Sequence, residues 1–468
     1  MHITFHGAAQ CVTGSKHLIH LAQGNILLDC GMFQGMGTST YNLNASFNFE
    51  PSTVTALILS HAHIDHCGLI PKLVQQGFVG RIYCIQATMQ LTSILLQDSA
   101  HIQAQDTKQA NKRRALQGLP LYEPLYTEQD VSQAIALFTP QEYNTPFNVM
   151  QGVTCTFTDA GHIIGSAAVH VTITENGIIK QITFSGDVGR YTDAILKSPQ
   201  TYSQADYIIM ESTYGNTLHN QATNTEDTLL QWITNTCVTN AGKLIIPAFS
   251  VGRTQELLYA LNTLELQGRL PALDYIVDSP LSQDATDILK QNTTYFNNTI
   301  QAIMAKGDSD PFAFKGLHYT QSSAESKLLN YRQQPCVIIS ASGMADSGRV
   351  KHHISNNIEN SRNAILLSGY CEPNSLGGRL KKQPKEVMIY GQLHQVNATI
   401  GELRSMSAHG DYNDLLQWLS CQNSSQVKQL FLVHGELGVQ QDLKHTLIAH
   451  GYTHITIPKL GEEVALME

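Results

Sequence analysis

Short apolar runs that end in polar, small-residue loops recur through the first part of the chain: HITFHGA, KHLIHLA, NILLDCG, ALILSH, RIYCI, VTCTFTDAG, AAVHVTI, KQITFSGDVG and DYIIMEST. They are mostly short and β-branched, which predicts strands of mixed sheets packed as a sandwich. Helical periodicity is weak there. From about residue 213 the pattern changes to strand, turn and helix, in KLIIPAFSVGRTQELLYALNTL, YIVDSPLSQDATDILK, CVIISASGMADSGRVKHHI and AILLSGYCEPNSLGGRL. Four βα-like units of this kind predict a parallel sheet flanked by helices. The final stretch returns to strands ending in histidines, so the four-unit segment reads as an insertion. The expected division is 1–212, an inserted domain 213–390, and 391–468 as the second part of the first domain. The segment DTKQANKRRALQG, 106–118, is locally basic at Lys112, Arg113 and Arg114 and reads as a solvated helix face.

A length of 468 residues requires more than one ordinary core. Hydrophobic residues make up 42% and charged residues 14%, which suits a folded soluble protein. The net charge of −9 gives no global attraction to nucleic acid or anionic lipid, so any polyanion has to be held by a local cationic site. No signal-peptide pattern and no long uncharged apolar run is present, which points to a cytoplasmic protein without a membrane partner. The nine cysteines are scattered and never form CxxC, so a metal would rest on nitrogen and oxygen ligands.

Such ligands are concentrated in SHAHIDHCG. His61 and His63 stand at i and i+2, on one side of an extended segment, and Asp65 and His66 follow as the chain turns. Two adjacent pockets can form from these residues. Imidazole and carboxylate suit zinc, and a pair of metals can clamp the attacking and leaving oxygens of a displacement. Asp29, His162, Asp187 and His434 end other strand-like runs and are further candidates, because a site is assembled from several loops.

In order along the chain, LLDCG, HAHIDHCG, GHIIGS, SGDVG, ESTYG, SAHGD and VHGE resemble the motifs of the metallo-β-lactamase fold and, within it, the β-CASP nucleases. The resemblance implies an α/β (α+β) fold, a four-layer αββα sandwich with an inserted β-CASP domain of parallel sheet flanked by helices. It implies two zinc ions, the first bound by His61, His63 and His162, the second by Asp65, His66 and His434, with Asp187 bridging and Asp29 orienting a histidine ligand. His63, where diiron oxygen-reducing relatives carry glutamate, favours hydrolysis over redox chemistry. Glu211 and His409 match the acidic residue and the histidine at the edges of the cap. A carboxylate holding an imidazole favours its charged form, so His409 is the expected general acid.

Three loops of the insertion carry small residues and arginine between a strand and a helix start, where free N–H groups favour phosphate. The candidates are Ser250, Gly252 and Arg253; Ser340, Ser342, Gly343 and Arg349; and Gly378 and Arg379. The expected reaction is phosphodiester hydrolysis by a metal-bound hydroxide, held by Asp187 with Asp65 in the ligand set, in single-stranded RNA running between the two domains. His434, where DNA-cutting relatives typically have valine, favours RNA. The early end of the chain after His434 tilts towards internal cutting, and the absence of a preceding KH-type segment towards low sequence selectivity. The alternatives are 5′-to-3′ exoribonuclease action, a DNA nuclease and a small-molecule metallo-hydrolase. A homodimer and RNA-processing partner proteins are further expectations.

Overall fold

The computed structural model describes residues 1–175, 177–219, 224–369, 371–403 and 406–466. The chain divides into two compact units, one of residues 1–193, 197–218 and 409–468, the other of residues 194–196 and 219–408. The boundaries expected from the sequence lie at 212 and 390, whereas the second unit continues to 408. The reason is a strand: Thr399–Glu402 pairs in parallel with Ala364–Leu367 and completes the second unit's sheet.

The first unit holds two seven-stranded sheets. In one, Gly24–Leu28, Val54–Ile58, Arg81–Ile85 and Phe138–Gln141 run parallel to one another. In the other, Ile178–Phe184, Tyr207–Met210 and Gln429–Leu432 are parallel neighbours. Every residue of Tyr207–Met210 is buried, as expected for a strand flanked by parallel partners with both faces covered. Parallel strands bring their C-terminal ends to one edge of the sheet, and the polar residues that end these runs collect there.

The weak helical periodicity of the first part conceals one long element. Gln86–Leu116 is a single helix of 31 residues. Its first half buries Ala87, Leu91, Leu96 and Ala100, after which no further residue of it is buried, so no apolar stripe runs its full length.

The second unit has a six-stranded sheet in the order Leu317–Tyr319, Asp274–Val277, Cys336–Ser340, Lys243–Pro247, Ala364–Leu367, Thr399–Glu402. All its pairings are parallel, and helices Arg253–Leu266, Pro280–Gln291, Gly348–Asn357 and Leu376–Lys381 follow the four predicted strands. At the end of Asp274–Val277, the fully buried Asp278 receives Arg349 Nη1 at 2.7 Å, His353 Nε2 at 2.5 Å, Ser326 Oγ at 2.5 Å and the Thr320 hydroxyl. Burial alone would raise its pKa, but these hydrogen bonds outweigh it and hold the carboxyl well below the usual range. This carboxylate ties a strand end to two helices. Asp278→Ala should therefore destabilise the folded chain by about 3–5 kcal/mol in urea denaturation, the usual cost of leaving buried partners uncompensated, and a loss under about 1 kcal/mol would refute the assignment.

Candidate metal and phosphodiester site

The side chains of the candidate site all belong to the first unit; most stand on loops that leave strand ends, and Asp65 and His66 lie in the short helix Ile64–Cys67. Asp29 follows Gly24–Leu28, His61 to His66 follow Val54–Ile58, His162 follows Val153–Asp159, and Asp187 follows Ile178–Phe184. Glu211 follows Tyr207–Met210 and His434 follows Gln429–Leu432. Asp29 and His434 both sit in left-handed backbone, φ 58° and φ 51°, a conformation that a non-glycine residue holds only where its surroundings impose it.

The structure brings the seven predicted ligands into two groups. In the first, His61 Nε2 and His162 Nε2 each lie 3.1 Å from His63 Nδ1, and 3.4 and 3.5 Å from Asp187 Oδ2. In the second, His434 Nε2 lies 3.3 Å from His66 Nε2 and 3.4 Å from Asp65 Oδ2. Asp187 Oδ1 faces this second group, 3.3 Å from His66 Nε2 and 3.6 Å from His434 Nδ1. One carboxylate thus offers one oxygen to each group.

Burial lowers His61 to about 3 and His63 to about 4, and pushes His162 well below its ordinary value, so these rings are neutral and present lone pairs. Three neutral imidazole nitrogens converging with a carboxylate oxygen form a donor set that a cation fits. Asp187 Oδ1 is buried and receives no hydrogen bond among the described residues. Both observations fit a metal at each group.

His66 is fixed by Asp29. Its Nδ1–H donates to Asp29 Oδ2 at 2.6 Å and leaves Nε2 facing the site; the Asp187 and Asp29 carboxylates outweigh burial and push this ring well above its ordinary value, a positive charge whose place a metal ion at Nε2 would take. Asp29 in turn accepts the Ser60 N–H at 2.8 Å and the Ser60 hydroxyl at 2.9 Å. Next to the ligand groups, His409 Nδ1 lies 3.1 and 3.2 Å from the two Glu211 oxygens, and its Nε2 lies 3.9 Å from Asp187 Oδ2. Glu211 is fully buried and also accepts the Val188 N–H at 2.6 Å and the Thr213 hydroxyl at 2.6 Å. Burial disfavours the His409 imidazolium, yet the Glu211 and Asp187 carboxylates outweigh it and raise His409 to about 9.

Sequence reasoning missed three supporting side chains. Thr213 connects Glu211 to His434, its hydroxyl lying 3.1 Å from His434 Nδ1, and it stands in plain view inside ESTYG. Ser15 donates to Asp29 Oδ2 at 3.2 Å. Lys16 is buried and donates to the Gly14 and Gly31 carbonyls at 2.9 and 2.7 Å, behind the Asp65 loop. Gly31 packs so closely there that a Cβ would lie 1.6 Å from the Asp65 carbonyl oxygen.

The phosphate-loop candidates of the second unit are placed less simply. Arg253 is paired with Glu256 at 2.5 Å, and Arg349 is committed to Asp278. The Ser340 hydroxyl donates to the Asp278 carbonyl at 2.9 Å. Gly378 and Arg379 are not in a loop but inside helix Leu376–Lys381, where the Gly378 N–H is capped by Ser375 Oγ at 3.0 Å and Arg379 Nη1 donates to the Met388 carbonyl at 3.2 Å. That corrects the expected third loop, because the helix begins before its glycines. Ser250, Gly252, Ser342 and Gly343 do lie between strand ends and helix starts, Gly252 at φ 81°.

Residues 17–210 match the metallo-beta-lactamase superfamily, residues 254–380 the Beta-Casp domain, and residues 393–458 the Zn-dependent metallo-hydrolase RNA specificity domain. The chain is 32% identical to "Ribonuclease TTHA0252" of Thermus thermophilus over 99% of this chain and 100% of that protein. It is 28% identical to an "RNase J-like protein" of Methanocaldococcus jannaschii over 93% and 92% of the two chains, and 25% identical to "Endoribonuclease YSH1" of Kluyveromyces lactis over 95% and 56%. A crystal structure of a protein of unknown function from Enterococcus faecalis V583 shares the fold at a TM-score of 0.53 and 13% identity, over 99% of both chains. With its strand-end ligands, its parallel-sheet insertion and a relative aligned from end to end, the chain belongs to the β-CASP branch of the metallo-β-lactamase superfamily.

Proposed function

We propose that the protein is a dizinc ribonuclease that cuts single-stranded RNA internally. The observation that carries this reading is the Asp187 carboxylate, shared between two groups of imidazoles beside a histidine held by Glu211. The names of the relatives as ribonucleases support RNA as the substrate, and one of them is named an endoribonuclease. A small-molecule hydrolase would have no use for the second unit's strand-to-helix loops.

His61, His63 and His162 would hold the first ion, Asp65, His66 and His434 the second, and Asp187 both, a nitrogen and oxygen set that suits zinc. Bound there, the metal pair would acidify water and stabilise charge on the phosphate oxygens. The chain's own residues do the rest. Asp29 keeps the His66 lone pair facing inward. Glu211 accepts the His409 Nδ1–H, so Nε2 is the nitrogen that delivers a proton to the leaving oxygen. Asp65 and Asp187 orient the attacking water. Ser250, Gly252, Ser342 and Gly343 supply hydroxyl and N–H groups for the phosphate backbone, with Arg253 and Arg349 adding charge only in so far as Glu256 and Asp278 leave it uncompensated. Contacts to the 2′-hydroxyl would discriminate RNA from DNA.

Reconstituted protein should hold two zinc ions per chain, and His434→Ala should lose one while keeping the other; elemental analysis giving less than about one ion in an active preparation contradicts the two-metal reading. His409→Ala should lower turnover by about 10²- to 10⁴-fold at unchanged metal content, the usual worth of a positioned general acid. His409 donates only while protonated, so activity should fall as pH rises through its pKa. Glu211→Gln removes a charge that raises that pKa and should move the alkaline fall in turnover to lower pH; an unmoved limb assigns the proton elsewhere. Circular single-stranded RNA should be cut, leaving 5′-phosphate and 3′-hydroxyl ends. Survival of the circle while a linear 5′-phosphorylated RNA is degraded to mononucleotides would replace internal cutting with the exonuclease reading.

A further inference from the structure

The helix Gln86–Leu116 begins beside the candidate metal site and ends far from it. In its first turn, Thr88 Oγ1 donates to the Gly165 carbonyl of the His162 loop at 2.6 Å. At 1.5 Å per residue, Lys112 lies about 36 Å further along the axis. The core has no use for this length, since the last buried residue of the helix is Ala100. The final turns are instead braced by the loop that follows. Asn111 exchanges hydrogen bonds with the Tyr122 backbone at 2.9 and 2.8 Å, and Arg114 Nε donates to the Pro120 carbonyl at 2.5 Å.

This braced end carries exposed Lys108, Lys112 and Arg113, and residues 107–122 contain no aspartate or glutamate. No carboxylate pairs with these three cations among the described residues. Beside them the Arg114 guanidinium lies 3.9 Å from the Tyr122 ring centroid, and the Tyr122 and Tyr41 ring centroids are 5.0 Å apart. Tyr41 and Tyr122 remain 41% and 39% exposed. The helix dipole favours Arg113 and Arg114 at a C-terminal end, but it accounts for neither Lys108, more than a turn inside, nor the aromatic pair.

We propose that this helix end and its loop form an anchoring surface for the RNA strand remote from the metal centre, a proposal that rests on the ribonuclease reading above. Unpaired cations follow phosphates, and exposed aromatic rings accept bases without regard to sequence, the combination that single-strand-binding surfaces use. The exposed Leu116, Leu119 and Leu121 by themselves would suit a protein partner. Uncompensated positive charge on a chain of net charge −9 selects the polyanion instead. The surface would give long substrates an affinity that short ones lack.

The test uses the full chain loaded with metal. Binding of a long unstructured RNA is followed by fluorescence anisotropy against salt, in a His409→Ala background that prevents cutting, and hydrolysis of bis-p-nitrophenyl phosphate is measured with His409 intact. The double variant Lys112→Glu, Arg113→Glu should bind the RNA at least about tenfold more weakly, with the log–log salt slope shallower by about 0.7 for each phosphate no longer neutralised. Tyr41→Ala should weaken binding by about fivefold or more, as removal of one stacking platform does. Hydrolysis of the small diester should not change in either variant. Variants that match their parent in affinity and slope, while the parent binds and cleaves RNA, overturn the surface and leave the ribonuclease reading intact. A parent that hydrolyses the small diester yet neither binds nor cleaves RNA overturns both.

Discussion

Asp187 must serve two groups of imidazoles at once, and the rest of the site follows from that requirement. Its two oxygens can face different groups only if the carboxylate is held at a fixed orientation, and a buried position just past the strand Ile178–Phe184 supplies it. Burial also keeps the rings of the first group, His61, His63 and His162, unprotonated, because removing them from water disfavours the charged imidazolium. The same burial would be costly for an isolated carboxylate, which is why a cation at each oxygen is the natural complement.

The supporting side chains keep this arrangement in place. Asp29 and Glu211 are each fully buried and each accept several donors while holding one histidine, His66 and His409 respectively. Their different surroundings set different tasks. His66 is fully buried with its Nε2 aimed at Asp187 Oδ1, inside a ligand group, whereas His409 stays partly open beside the groups, with its protonated form favoured by Glu211 and Asp187. Left-handed backbone at Asp29 and His434 indicates that the loops accept local strain to aim these side chains.

Much of this is legible in the sequence, for a physical reason. Ligands that end apolar strand runs, such as His61, His63, Asp187 and His434, are marked by an abrupt change from β-branched to polar residues, and the four βα units carry their own periodicity. What stays hidden depends on distant pairing. Nothing in the local pattern joins Asp278 to Arg349 and His353, whose positions meet only when parallel strands stack, so Arg349 reads from sequence as free for phosphate. Nothing in the KHLIHLA run marks Lys16 as the buried residue that clamps the Gly14 and Gly31 carbonyls. The helix Gln86–Leu116 is concealed because it leaves the core halfway and loses the apolar stripe that would reveal it. Gly378 and Arg379 read as loop residues because nothing before the glycine pair announces that Ser375 already caps the helix.

The most direct test of a carboxylate shared between two metals is anomalous diffraction at the zinc edge from crystals of the zinc-loaded protein. Two peaks are predicted, one contacted by His61, His63 and His162, the other by Asp65, His66 and His434, with one Asp187 oxygen on each. A single peak, or two peaks of which Asp187 touches only one, would contradict the shared carboxylate around which the site is built.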